Sequence, residues 1–191
     1  MISELLDFVD SVLPSVDSAA KNKAQAAIAQ FVQEGKQIKY LLSSKLSELS
    51  QGDIISEIPF SYFKEDGSQH NFKARGLVVS TSCHIDQKDL INIVPVLPMK
   101  FFTGDSNAKR DLQENRVFDY MYFPENEMQD YFVDFSKVNT YNRTLIMKGI
   151  ETEKIERLFS LSQIGFYFFI IKLTVFFMRK EDAETMNSRV S

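Results

Sequence analysis

The chain has 191 residues, 44% hydrophobic and 25% charged, a globular composition long enough for one domain with its own core. Its net charge of −4 gives no general pull toward polyphosphate, so DNA is not expected as a partner and any RNA role would need a local basic patch. A single cysteine excludes an internal disulfide, and seventeen Phe with no Trp point to a core built on Phe.

Residues 1–49 read as a helical arm. Ile2, Leu5, Leu6, Val9, Val12 and Leu13 fall at helical spacing until Pro14, and acids stand where a signal peptide would carry lysines, so a cytoplasmic protein is expected. From Ser18 to about Ser47, Ile28, Phe31, Ile38, Leu41, Leu42 and Leu46 repeat near every 3.6 residues, interrupted only by Gly35. Lys21, Lys23, Lys36, Lys39 and Lys45 line the rest of this predicted helix, either as a solvated side or as a face for a partner.

The composition changes at Ser50-Gln51-Gly52-Asp53, a predicted turn that opens the second segment, 50–137. Residues 54–63 read as a strand with Pro59 at an edge or bulge, and Glu65-Asp66-Gly67-Ser68 is a hairpin turn. The return strand runs through His70 and Phe72 into Leu77-Val78-Val79 and ends in Ser80-Thr81-Ser82-Cys83. Residues 90–98 form a third strand, rich in Ile and Val and closed by proline. Short strands without crossover helices predict a small, strongly bent antiparallel barrel.

Residues 103–116 read as a polar loop with a turn of helix, and 117–122 and 131–135 as aromatic strands separated by a turn at Pro124. The third segment, 138–180, is predicted helical near 151–158. After a Ser162 N-cap it is helical again over 164–178, where the apolar residues run almost all round. That stretch is shorter than the roughly 20 residues a bilayer demands and carries Lys172 at its middle, so it is assigned to the core and no membrane is expected. Residues 181–191 read as a disordered tail.

Gly52-Asp53-Ile54, Arg75-Gly76-Leu77-Val78-Val79-Ser80 and Ile93-Val94-Pro95-Val96 together resemble the PemK/MazF-type toxin barrel, in a divergent bacterial branch. Ser80-Thr81-Ser82-Cys83-His84 and the Leu161-Ser162, Gly165-Phe166, Lys172-Leu173 and Phe176-Phe177 pattern resemble that branch further. The resemblance implies an α+β fold, an SH3-like antiparallel barrel with N-terminal and C-terminal helices. It also implies a place in a bacterial toxin–antitoxin or phage-defence operon.

Toxins of this family cleave single-stranded RNA without metal, using an arginine before the central strand and a hydroxyl just after the Val-x-Pro strand. Arg75 matches the first, but Val96, Leu97 and Pro98 stand where the second is needed, and one lost donor costs roughly 3 kcal/mol of transition-state stabilisation. The expectation is therefore an interaction or regulatory module without RNase activity, partnered by another protein of the same operon or by a second copy. Lys73, Arg75, Cys83 and Asp86 are its candidate binding residues. The alternative is a divergent endoribonuclease using Arg75 with Ser80, Ser82 or His84, for which RNA would be the partner.

By residue type, His70, Cys83, His84 and Asp86 could also ligate zinc, or Cys83 could act as a nucleophile with a His base. Adjacent strand residues point to opposite faces, so a hydrogen-bonded turn is the first reading, and neither metal nor cofactor is expected.

Overall fold

The computed structural model describes residues 39–178, together with Thr185 and Ser188. Among the described residues, seven antiparallel strands and four helices make up a mixed α+β structure. The strands are β1 (Ile54–Phe63), β2 (Gln69–Val78), β3 (Leu90–Pro98), β4 (Tyr120–Tyr122), β5 (Tyr131–Asp134), β6 (Asn139–Asn142) and β7 (Arg157–Phe159). The helices are α1 (Ser82–Gln87), α2 (Ser106–Gln113), α3 (Arg143–Glu151) and α4 (Gln163–Met178). The predicted helix over 2–13 and most of that over 18–47 fall outside the described residues.

The sheet runs β4-β5-β3-β2-β1-β7, and β6 pairs with β3 beside β5. A single 3-10 turn, Phe135–Lys137, joins β5 to β6, so the two lie end to end along one side of β3. The hairpin turn forms as expected: Gly67 takes φ 77°, its N–H donates to the Lys64 carbonyl, and Asp66 accepts from the Ser68 N–H at 2.8 Å. The register shift between Ile55 and Ile58, with Glu57 at φ 58°, is the bulge expected near Pro59.

Among the described residues the ladder is open: no backbone pairing joins β1 to β6. A side chain bridges that gap. Asn139 of β6 accepts from the Ser61 N–H at 2.8 Å and donates to the Ser61 carbonyl at 3.1 Å, and the Tyr141 hydroxyl donates to the Pro59 carbonyl at 2.7 Å. Asn115 treats the outer edge of β4 the same way, bonding both N–H and C=O of Tyr122 at 2.8 and 2.9 Å.

Apolar residues alternate along the strands and feed both faces of the sheet. Ile54, Leu77, Val94, Val96 and Val133 meet Phe135 and the α4 residue Phe169 on one face. Ile58, Phe60, Val78, Ile91 and Ile93 meet Ile85 of α1 and Ile146 of α3 on the other. Leu112 of α2 packs with Met99, Tyr122 and Phe132 in a third cluster. The Phe-rich expectation holds, with Phe60, Phe123, Phe135 and Phe169 all fully buried.

α4 begins where predicted. The Ser162 Oγ accepts from the Gly165 N–H at 3.1 Å as an N-cap does. Among the described residues no helix is long and apolar enough to cross a membrane. Lys172, 5% exposed, donates to the Asn115 carbonyl at 2.9 Å and to the Val117 carbonyl, so the apolar helix spends its one cation on tying down the approach to β4.

Several sequence expectations need correction. Residues 39–47 are not helical: Leu41 bridges to Leu161, the Leu42 N–H donates to the Ser160 carbonyl, and the Ser162 N–H donates to the Tyr40 carbonyl. Tertiary pairing there overrides a helical apolar spacing. Residues 151–158 end a helix and start β7, and the Ser80–Ser82 turn passes directly into α1. The polar loop contains the two-turn α2, capped by Asp105 on the Ala108 N–H at 2.8 Å. The sheet includes β6 and β7, both beyond residue 137. The predicted tail over 181–191 falls outside the described residues apart from Thr185 and Ser188, both helical.

Candidate functional site

β2 outruns β3. Arg75 and Val96 are the last pair of their ladder; beyond it β2 continues with β1 alone, while Leu97 and Pro98 of β3 continue with β5. The sheet therefore forks, and the fork holds a cleft of about 740 Å³ with Arg75 at its root. Aromatic rings dominate the walls. Tyr62, His70 and Phe72 come from the hairpin, with ring centroids 5.2 and 5.7 Å apart in succession, and Phe101, Tyr120 and Tyr131 come from the opposite arm. A smaller depression on the same hairpin, about 410 Å³, holds no cation other than Lys73.

The charges in the cleft are unequally matched. Lys73 lies 3.6 Å from the Glu57 carboxylate, with both side chains exposed, a geometry worth little in water. Lys137 pairs with the buried Asp134 and lies 5.6 Å from the Tyr62 ring centroid, which links the hairpin arm to the 3-10 turn. Arg75 faces no carboxylate among the described residues. Its guanidinium sits 4.0 Å from the Tyr131 ring centroid, and Nη1 approaches the Glu127 carbonyl at 3.5 Å and the Met128 sulfur at 3.4 Å. These contacts orient a cation while leaving its charge available to an anion. Burial, with the Asp134 carboxylate second, raises the Tyr120 phenol at the cleft wall above its ordinary value.

The other predicted residues lie at the opposite end of β2. The Ser80 Oγ accepts from the Asn92 N–H at 2.8 Å, the Ser82 Oγ from the Gln51 N–H at 3.2 Å, and the Thr81 Oγ from the His84 N–H at 3.3 Å as the N-cap of α1. Thr81 thus bonds within the turn as expected, whereas Ser80 and Ser82 tie the turn to backbone 12 and 31 residues away. Cys83, His84 and Asp86 are exposed on α1. At about 3.3 Å per residue, the strand carries Arg75 and Lys73 well away from all of them. Arg75 and Lys73 thus share the cleft, while Ser80, Ser82, Cys83, His84 and Asp86 do not reach it. His70 lines the cleft, remote from Cys83 and His84, and among the described residues no three His, Cys, Asp or Glu side chains come together as metal ligands would.

Asp53, from the Gly-Asp pair, is fully buried and serves structure. Its Oδ2 accepts from the Ser50 N–H at 3.0 Å and from Arg157 Nη2 at 3.0 Å. Arg157 in turn binds the carbonyls of Leu46, Ser47 and Glu48, so this one guanidinium folds the entry to β1. Sequence reading missed Tyr131, Tyr62 and Lys137 as cleft residues. No local signal marks them, because the fork opens after Val96, where β3 parts from β2 and continues with β5 alone.

Compared with known proteins, the chain matches no family model and no curated protein.

Proposed function

We propose that this chain is a MazF-like interaction module, a regulatory or effector subunit of a bacterial toxin–antitoxin or phage-defence system acting in the cytoplasm without RNase activity. Three sequence segments that resemble the family fall at the start of β1, the end of β2 and the middle of β3. The end-to-end β5 and β6, with Asn139 reaching Ser61, support reading the bent sheet as an SH3-like barrel whose seam is made by side chains. The observation that carries the non-catalytic reading is the company Arg75 keeps: a ring face, a carbonyl and a sulfur, with apolar Val96 and Leu97 where a hydroxyl would be needed. A cation so placed can anchor a partner, and the positions that follow Pro95 offer it no hydroxyl to share the charge of a phosphodiester transition state.

The test is a metal-free cleavage assay on single-stranded RNA with wild type and Arg75→Ala. No cleavage by either is expected, together with a stable complex on co-expression with the product of a neighbouring gene. Robust cleavage that Arg75→Ala abolishes would overturn the reading. It would favour instead the divergent endoribonuclease centred on Arg75, a reading supported by the exposed ring of Phe101 and its neighbours, on which bases could stack.

A further inference from the structure

We propose that the cleft takes an extended segment of a partner protein, which adds as a strand to β2 at Asn71 and Lys73 and sets an Asp or Glu carboxylate on Arg75. The proposal rests on reading the chain as an interaction module and names the chemistry of its partner.

The free edge follows from the parity of the β1–β2 ladder. In an antiparallel pair, facing residues alternate between exchanging backbone bonds and turning them outward. Ser61 spends its N–H and C=O on Asn139, so it turns away from β2, and its facing residue Asn71 turns away from β1. Two positions along, Lys73 faces Pro59, which has no N–H to exchange and whose carbonyl accepts from Tyr141. Asn71 and Lys73 therefore aim their N–H and C=O groups into the fork, on the line β3 would occupy had it not left at Val96. Both are exposed, and among the described residues no strand pairs with that edge.

A backbone edge of alternating donors and acceptors matches another peptide backbone. It does not match a phosphate chain, which offers acceptors only. The carboxylate follows from Arg75, the cleft cation without an ion-pair partner among the described residues. A second copy pairing through the same edge brings no acid to Arg75, because Gln69 through Arg75 contains neither Asp nor Glu.

A random dodecapeptide display library selected against the full chain tests this. Enriched peptides would be measured by fluorescence anisotropy with wild type, Arg75→Gln and Lys73→Pro, and by amide exchange at Asn71 and Lys73. Lys73→Pro removes an outward N–H without costing a β1–β2 bond, and thermal melts check that each variant folds. The expected result is enrichment of peptides carrying Asp or Glu, affinity weakened roughly tenfold or more in both variants, and slowed exchange at the two amides on binding. Peptides that lack acids, or that bind both variants as tightly as wild type, would overturn strand addition and leave the interaction reading standing. So would amides at Asn71 and Lys73 already protected in the chain alone. Failure of any peptide to enrich, with a decauridylate RNA binding in an Arg75-dependent way, would overturn both.

Discussion

The carbonyl oxygen of Tyr40 occupies the space where a side chain at position 165 would begin, since a Cβ built on Gly165 falls 2.2 Å from it. The segment at 39–42 crosses the start of α4 at backbone contact. It is held there by the Tyr40 carbonyl on the Ser162 N–H and by Glu125, which accepts from the Tyr40 N–H and, at 3.1 Å, from the Leu41 N–H. Gly165→Ala must push this crossing apart. It is expected to destabilise the fold by about 2 kcal/mol or more, and limited proteolysis should find new cleavage near residue 40. An unchanged denaturation midpoint would contradict this account of the crossing.

Lys172 makes stability rise with pH. Burial pulls its ammonium from the ordinary lysine value down to about 8, against the smaller opposing pull of Asp119. Between about pH 8 and 10 the folded chain has released that proton while the unfolded chain still binds it, so folding is favoured progressively across the window, by up to roughly 3 kcal/mol. Above pH 10 the trend reverses. Burial raises the Tyr40 and Tyr141 phenols, so their ionisation favours the unfolded chain. Urea denaturation at pH 7.5, 8.5 and 9.5 should show the rise, and Lys172→Met should abolish it.

Removal of Arg157 leaves the Asp53 carboxylate buried and unpaired, and three carbonyls of the entry to β1 without their donor. Breaking a buried pair from one side costs about 3 to 5 kcal/mol, so Arg157→Leu should approach the full stability of the domain. The double variant Arg157→Leu/Asp53→Leu should recover part of the loss. A single variant as stable as wild type by chemical denaturation would mean that the pair is dispensable.

Asn139→Ala deletes both bonds to Ser61, a loss of about 1 to 2 kcal/mol, and should open the gap between β1 and β6. Amide exchange at Ser61 should accelerate selectively, while Leu77 and Val94 at the centre of the sheet stay protected. Asn139→Asp tests the geometry, since it keeps the acceptor for the N–H and loses the donor for the carbonyl.

The strands with strong local signals were legible in the sequence. The run at 90–98 coincides with β3, the Gly67 turn forms, and the apolar stretch at 164–178 lies within α4. What escaped depends on residues distant in the chain. β6 reads Asn-Thr-Tyr-Asn and carries no apolar alternation, because its edge and its tyrosine are satisfied by β1 some eighty residues earlier. Leu41 and Leu42 fit a helical repeat, yet Ser160 and Leu161 capture them. The cleft was half legible: Arg75 and Lys73 were identified as residues, but the fork that gives them a cavity depends on how far β3 follows β2, and local sequence does not encode that register.

Asn115 and Asn139 have a consequence beyond the fold's stability. Each plugs both hydrogen-bonding positions of one residue at a sheet border, so a foreign polypeptide finds nothing to grip at Tyr122 or Ser61. Loss of either plug would turn a quiet border into a seed for fibrous aggregation.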